Sequence, residues 1–537
     1  MHRQHSISSD TNTLSGLLLD SARRRPDRES VVVDDVRLSN DQRLSRALAV
    51  GAKLESLGLK RGDHIGIFMP NCAEYLDIFF GAMLTGLIPV TINSRYKSHE
   101  LAFVIDNSDV KCLFTTGRIN ENVDFFKTCL EALEDLETRA DGAVNTPTAP
   151  DLGHMCVLGC TDERFVDYAD FIDSSAHAEP LAREPHDVAF MMYTSGTTAN
   201  PKGCLISHRA IVTNAIGMAN RWRMNSDDRF WDPLPFFHMS TILPLAACMV
   251  SDTVFYATAH FRTHASLAVL EQERITIAFP AFPTLMNEII GHADFCAAKL
   301  PALRIINNVA PIDTLKRFQH ALPQTRQVSA YGLTEAGGVV SYGSPDDTLE
   351  QRTETCGRPF PGIEVRAFNT NNDSVCAPGE IGELQIRGDC LFDGYYKAED
   401  ATDAAMMDGW LRTGDVGVVS TDGYVSYRGR SKDMLKVGGE NVAALEIESY
   451  INTHPQVVLS QVVGVPDERY VEVPAAFIQS AQDATITAAD VVDFCRGKIA
   501  RYKVPRYVVF VNEWPMSATK VQKFKLKDLP LGARFEI

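Results

Sequence analysis

Residues 193–203 read Tyr-Thr-Ser-Gly-Thr-Thr-Ala-Asn-Pro-Lys-Gly and follow directly on the apolar run 188–192. Small side chains leave backbone N–H groups open to oxygen anions, and the Thr194, Ser195, Thr197 and Thr198 hydroxyls and the Lys202 ammonium add further donors. Such a loop suits a polyphosphate. It is not the common nucleotide loop G-x-x-x-x-G-K-[ST], because Pro201 precedes the lysine and Gly203 stands where the magnesium-ligating hydroxyl would be. A Ser/Thr/Gly stretch taken alone is also what an ordinary surface turn looks like, so the rest of the chain decides.

Four further segments carry side chains able to do chemistry. Ala330-Tyr331-Gly332-Leu333-Thr334-Glu335 offers an aromatic face, a hydroxyl and a carboxylate at a turn. Residues 409–415, Gly-Trp-Leu-Arg-Thr-Gly-Asp, end in the carboxylate of Asp415. Residues 427–436 collect cations, among them Arg430 and Lys432, and residues 517–526 bring Lys520, Lys523 and Lys525. In this order and at these spacings, over nearly the whole chain from about Leu14 onward, the set resembles the adenylate-forming superfamily: acyl-CoA synthetases, luciferases and the adenylation domains of peptide synthetases. Its acyl-CoA ligase branch is the nearest resemblance.

The resemblance implies activation of a carboxylic acid by ATP. A carboxylate is a poor acyl donor because its leaving group would be oxide, whereas an acyl-adenylate departs as AMP. The site must then stabilise charge on a five-coordinate α-phosphorus and on leaving pyrophosphate. Losing one preorganised donor in a dry site costs ~3 kcal/mol, about a hundredfold in rate.

Carried over motif by motif, Thr194, Ser195, Gly196, Thr197, Thr198 and Lys202 would hold the β- and γ-phosphates. Ala330, Tyr331, Gly332 and Leu333, with Ala310 and Pro311, would surround adenine, Tyr331 by stacking. Thr334 would donate to the α-phosphate, and Glu335 with Thr198 would ligate magnesium. Asp415 would accept both ribose hydroxyls, a task suited to paired carboxylate oxygens, and Arg430 would approach the same sugar. Lys520 would be the mobile lysine that meets the attacking carboxylate and the α-phosphate. The family usually reads Thr-Gly-Lys there, however, and this chain passes directly from Thr519 to Lys520, so Lys523 stays open as the alternative. A second departure is Ala199, where the family usually has glycine.

For the acid itself, the resemblance puts the acyl entrance behind residues 233–239, Pro-Leu-Pro-Phe-Phe-His-Met, with His238 and Met239 at its gate and Asn308 and Val309 on the acyl wall. Lys432 would be the hinge of a rotating C-terminal domain, and Gly438 and Gly439 would line the path of the pantetheine thiol, where absent side chains permit close approach. The implied cofactors and substrates are ATP, magnesium, coenzyme A and an apolar carboxylic acid, whether fatty, alicyclic, aromatic or a steroid side-chain acid. Thioester transfer to a carrier protein, or ATP binding without turnover, are the alternatives.

Elements must position these residues. In the first half, short β-branched runs at 64–69, 88–92 and 110–114 alternate with helical patterns, which predicts βαβ units around largely parallel sheets. Residues 134–185 lack periodicity and read as an irregular connection. Past Arg430 a compact alternation of strand and helix signals predicts a small α+β domain. The expected organisation is α/β: a large N-terminal body, 1–430, and a smaller C-terminal domain, 431–537, that rotates about a hinge.

The chain has 537 residues, 45% hydrophobic and 23% charged, which suits a soluble globular protein of several domains. A formal charge of −17 argues against nucleic acid or acidic membranes as partners, since both need clustered Lys and Arg. Twelve cysteines without metal-ligand spacing read as free thiols of a reducing cytoplasm. The longest apolar stretch, 79–90, is far below the ~20 residues needed to span a bilayer. Nothing in the sequence fixes oligomeric state, and a homodimer stays open.

Overall fold

The computed structural model describes residues 11–120, 123–139, 143–159, 162–172, 176–194, 201–437, 440–467, 470–516 and 521–537. Two seven-stranded sheets make up the body. Edge to edge, one runs through Val166–Asp167, His154–Leu158, Val110–Thr116, His64–Ile67, Ile88–Thr91, Val188–Thr194 and Lys202–Ser207. The other runs through Arg326–Val328, Ile305–Asn308, Ile277–Ala281, Arg229–Asp232, Val254–Ala257, Glu29–Val33 and Val36–Ser39. Every neighbouring pair is parallel except the last hairpin of each sheet.

Parallel strands need crossover helices, and the helices become the filling between sheets. Ala73–Leu84, His208–Arg221 and Met239–Ser251 share one apolar core with Ile65, Ile67 and Phe190 of the first sheet and Phe230, Phe255 and Phe279 of the second. The apolar stretch 79–90 is thus explained without a membrane: it is the end of a helix buried on all sides, a turn, and the strand Ile88–Thr91. Among the described residues, no helix is long and apolar enough to cross a bilayer. Residues 134–185 hold more order than their sequence suggests, because His154–Leu158 is a strand of the first sheet. Its run, His-Met-Cys-Val-Leu, is buried from Met155 onward and is too short to show a period.

Beyond the second sheet the chain turns antiparallel. Ala330–Leu333 and Gly338–Tyr342 form a hairpin whose tip is the one-turn 3-10 helix Thr334–Ala336. Ile363–Asn369, Ile381–Gly388 and Trp410–Val419 build the next sheet, to which Val425–Arg430 adds by pairing with Trp410–Val419. Arg430 is the last residue of that strand, and the 3-10 turn Ser431–Asp433 follows at once. The remaining strands, Met434–Val437, Glu440–Ala443, Val457–Asp467, Val471–Ser480 and Tyr507–Phe510, form a sheet of their own. Helices Ala444–Ile451 and Ala488–Cys495 pack on it around a separate apolar core. The architecture is a large α/β body with a smaller α+β C-terminal domain.

Candidate active site

One end of the site is built on Asp415. Its strand pairs antiparallel with Val425–Arg430 so that Asp415 and Arg430 are direct partners, and Arg430 Nε lies 2.8 Å from Asp415 Oδ1. The Tyr331 hydroxyl donates to Asp415 Oδ2 at 2.9 Å. Thr413 fixes the backbone below: its hydroxyl donates to the Leu384 carbonyl at 2.5 Å and accepts the Asp415 N–H at 3.0 Å. Tyr427 stacks on Tyr331, with centroids 6.0 Å apart and planes at 24°. Burial and then Asp415 push the Tyr331 phenol well above its usual value, so it is a donor at any physiological pH. Burial works against the charge on Arg430, but Asp415, Tyr427, Tyr331 and Glu335 outweigh it and the guanidinium is held more firmly protonated.

Gly332 explains how Tyr331 gets there. A Cβ on Gly332 would lie 2.0 Å from the Gly338 carbonyl oxygen, so only glycine lets the two arms of this hairpin approach. Gly337 closes the tip in the left-handed region at φ 63°.

The other end is built on Glu335. Tyr395 donates its hydroxyl to Glu335 Oε1 at 2.8 Å, and Lys202 Nζ sits 5.1 Å from the centroid of the same ring. Lys202 faces Thr194 as its registered partner in the edge hairpin, so the two feet of the loop 195–201 meet beside Tyr395. Tyr395 is tied to that hairpin again by a bridge to Cys204. Behind the tip, the buried amide of Asn214 donates to the carbonyls of Ala336 at 2.8 Å and Gly337 at 2.9 Å. Phe392 N–H holds the Glu335 carbonyl at 2.9 Å.

At the segment expected to form the acyl entrance, His238 occupies the N-cap position of helix Met239–Ser251 and its ring lies 4.4 Å from that of Phe237. Met239 packs where a Cβ on Gly338 would fall 2.6 Å from its Cγ. Ala310 and Pro311 form the entry to helix Ile312–Ala321. Asn308 and Val309 do not line the same wall. Strand alternation turns Asn308 outward, to the face of Ile306, where its amide donates to Gln327 Oε1 at 2.8 Å; Val309 is 46% exposed. The inward residue is Asn307.

The structure therefore brings Tyr331, Asp415 and Arg430 together and joins Lys202 to Glu335 through Tyr395. Ser195, Gly196, Thr197, Thr198, Gly438, Gly439 and Lys520 lie outside the described residues. Lys432 falls in the turn Ser431–Asp433. Lys523, the alternative to Lys520, is engaged elsewhere: its Nζ lies 2.5 Å from Oε1 of the buried Glu448. Sequence reading missed Tyr395, Tyr427, Asn214 and Thr413. Tyr427 and Thr413 stand inside motifs already singled out, whereas Tyr395 had only the pattern Gly-Tyr-Tyr at 394–396 to mark it, and Asn214 had none.

The chain matches known families. The model of the AMP-binding enzyme family covers residues 18–396, well over half of the chain, and that of the AMP-binding enzyme C-terminal domain covers 446–520. The chain belongs to the AMP-binding enzyme family. This is the adenylate-forming superfamily, and the AMP-binding relatives it matches place it in the acyl-CoA ligase branch, the AMP-forming acid–CoA ligases. A putative acyl-CoA synthetase, YngI, of Bacillus subtilis (strain 168) is 32% identical over 533 residues, 96% of this chain and 97% of the relative. The mitochondrial medium-chain acyl-CoA ligase ACSF2 of Mus musculus is 31% identical, covering 98% of this chain and 88% of its own. Among solved structures, the anthranilate CoA ligase AuaEII in complex with anthranoyl-AMP superposes with a TM-score of 0.85 at 25% identity, over 96% of each chain. ATP-bound MatB from Rhodopseudomonas palustris shares the fold, with a TM-score of 0.83 at 24% identity, over 96% of this chain and 98% of its own.

Proposed function

We propose that this AMP-binding enzyme joins ATP to a medium-sized, largely apolar carboxylic acid, expels pyrophosphate, and passes the acyl group from the bound acyl-adenylate to the thiol of coenzyme A. The observation that carries the reading is the shared hub of Tyr331, Asp415 and Arg430, at 2.9 and 2.8 Å, set beside the Lys202–Tyr395–Glu335 chain. A carboxylate with paired oxygens suits ribose hydroxyls, and the stacked tyrosines offer an aromatic face for adenine. Lys202, Thr194 and the hydroxyls of the loop 195–201 supply cationic and neutral donors to the β- and γ-phosphates. Thr334 serves the α-phosphate. The medium-chain ligases among the relatives support an acid of that size.

Magnesium fits this donor set. Glu335 is a hard oxygen ligand whose carboxylate is oriented by one phenol bond and retains acceptor capacity. When bound, the ion neutralises phosphate charge; Glu335, with Thr198, would hold it.

Adenylation falls to Lys520. The engagement of Lys523 with Glu448 inside the C-terminal domain supports that choice. In the second half-reaction the C-terminal domain, residues 431–537, turns about Lys432 and brings Gly438 and Gly439 to the pantetheine path. The Lys520→Ala variant tests the reading. It should lose acid-dependent ATP–pyrophosphate exchange and keep thioester formation from pre-made acyl-adenylate; undiminished exchange moves the role to Lys523. Offering coenzyme A and a phosphopantetheinylated carrier protein side by side, with product masses read out, separates the two possible acceptors.

A further inference from the structure

Three polar side chains beside the site have no role in the reaction above. Asp232 and Asn307 lie at the carboxyl ends of Arg229–Asp232 and Ile305–Asn308, strands separated only by Ile277–Ala281. Phe230 pairs with Ile277, and Ile277 with Ile305. Two residues further on, alternation returns Asp232, Phe279 and Asn307 to that same inward face, the face of the central core. Tyr342 closes over this row: its ring meets that of Phe279 edge-on at 6.5 Å, and its strand, Gly338–Tyr342, leads inward from the Thr334–Glu335 tip.

Asp232, Asn307 and Tyr342 are each 0% exposed. Asn307 Nδ2 and Oδ1, Asp232 Oδ2 and the Tyr342 hydroxyl have no hydrogen-bond partner among the described residues. A buried polar group left unsatisfied costs about 1–3 kcal/mol. A wall meant for a plain alkyl chain gains nothing from such groups, and leucine or phenylalanine in their places would line it better. Burial also drives the Asp232 carboxyl above its usual range, against the Leu234 N–H that its Oδ1 accepts at 2.9 Å.

Position makes these groups available to the acyl portion. In sheets of parallel strands, ligands bind beyond the carboxyl ends of the strands. The strand next to Ile305–Asn308, Arg326–Val328, runs on through Ser329 into the Tyr331 segment that faces the nucleotide. The same sheet edge carries Asp232 directly before the segment that ends at His238.

We propose that Asn307, flanked by Asp232 and Tyr342, is a polar subsite for the acyl portion, and that the acid this enzyme activates bears a hydroxyl or oxo group remote from its carboxylate. The assignment rests on the ligase reading. Asn307 can both donate and accept, so it receives either group. A site built to hydrogen-bond an oxygen function discriminates strongly against an analogue that lacks it.

The experiment compares AMP release with medium-chain alkanoic acids and with their hydroxy and oxo counterparts of equal length. The best oxygenated acid should exceed its plain partner in kcat/KM by at least ~10-fold. Asn307→Leu should abolish or invert that ratio while the KM for ATP stays unchanged, and Tyr342→Phe should narrow it without loss of folding. Equal use of plain and oxygenated acids by the wild type, with a ratio that Asn307→Leu does not move, overturns the subsite and leaves the ligase intact. No AMP release with any acid overturns the ligase reading itself.

Discussion

Asp415 and Arg430 stand opposite each other on adjacent antiparallel strands, and the carboxylate answers two donors at once, Arg430 Nε at 2.8 Å and the Tyr331 hydroxyl at 2.9 Å. Its side chain is 4% exposed, and the two donors hold the carboxylate in place without a ligand. Asp415→Asn keeps the shape and removes the charge. The KM for ATP should rise about tenfold, the equivalent of one charge-assisted bond, with a smaller effect on kcat. Steady-state kinetics under saturating acid reads the split.

Tyr395 touches both Glu335 and Lys202, the charged groups of the proposed phosphate end. Tyr395→Phe retains the ring under Lys202 and deletes only the bond to Glu335. The magnesium concentration for half-maximal rate should increase several-fold, in keeping with a hydrogen bond of ~1 kcal/mol, and ATP affinity at saturating magnesium should not change. A magnesium titration of the initial rate checks this. Tyr395→Ala should weaken both, since it also uncovers Lys202.

Asn214 acts through the hairpin tip and touches no reacting group. Asn214→Leu strips two buried carbonyls of their donors, a loss of ~2–4 kcal/mol if each costs about 1–2. The melting temperature should fall, and kcat should drop with it because Thr334 and Glu335 lose their support. Rescue by Asn214→Gln would be partial, since the longer amide cannot reach both carbonyls in one rotamer. Thermal melts and kcat measured together distinguish this from a purely structural defect.

His208 predicts an acid limb of stability. Burial, with Arg183 nearby, lowers it to about 3, and its Nδ1 accepts the Leu14 N–H at 3.1 Å. The unfolded chain takes up that proton near pH 6.5 and the folded chain does not. The His208 contribution is therefore complete above pH 6.5 and is lost progressively as pH falls toward 3, at ~1.4 kcal/mol per pH unit. His208→Gln should flatten the decline in melting temperature between pH 6.5 and 4.5. An unchanged slope would remove His208 from the account.

Lys523→Ala should leave ATP–pyrophosphate exchange intact and destabilise the C-terminal domain. The side chain of Glu448 is 4% exposed, and the variant would leave it, among the described residues, the Val462 N–H that Oε1 accepts at 2.7 Å. Breaking such a buried pair costs about 3–5 kcal/mol. Limited proteolysis of the C-terminal region, compared between wild type and variant, measures it.

The sequence makes the chemistry legible where function and locality coincide. Thr194 and Lys202 lie eight positions apart and become strand partners, and Asp415 and Arg430 are joined through one short hairpin, so motif order alone brings them close. Tyr395 reaches Glu335 across 60 residues and Asn214 reaches Ala336 across 122. Contacts of that span are set by how whole sheets pack, which no local pattern encodes. Asn307 and Asn308 show a finer limit: both are apt for a wall, and only the pleat of a four-residue strand decides which one faces inward.

Arg430 ends its strand, and the turn Ser431–Asp433 begins at the next residue. On the proposed reading, the side chain that would approach the sugar is thereby two residues from Lys432, the hinge of the C-terminal domain. Occupancy of the proposed ribose site and the orientation of the last hundred or so residues would then be thermodynamically linked, and linkage is reciprocal. A nucleotide that favours one orientation is itself bound more tightly in it, so a swing that admits the thiol would also set how readily AMP departs.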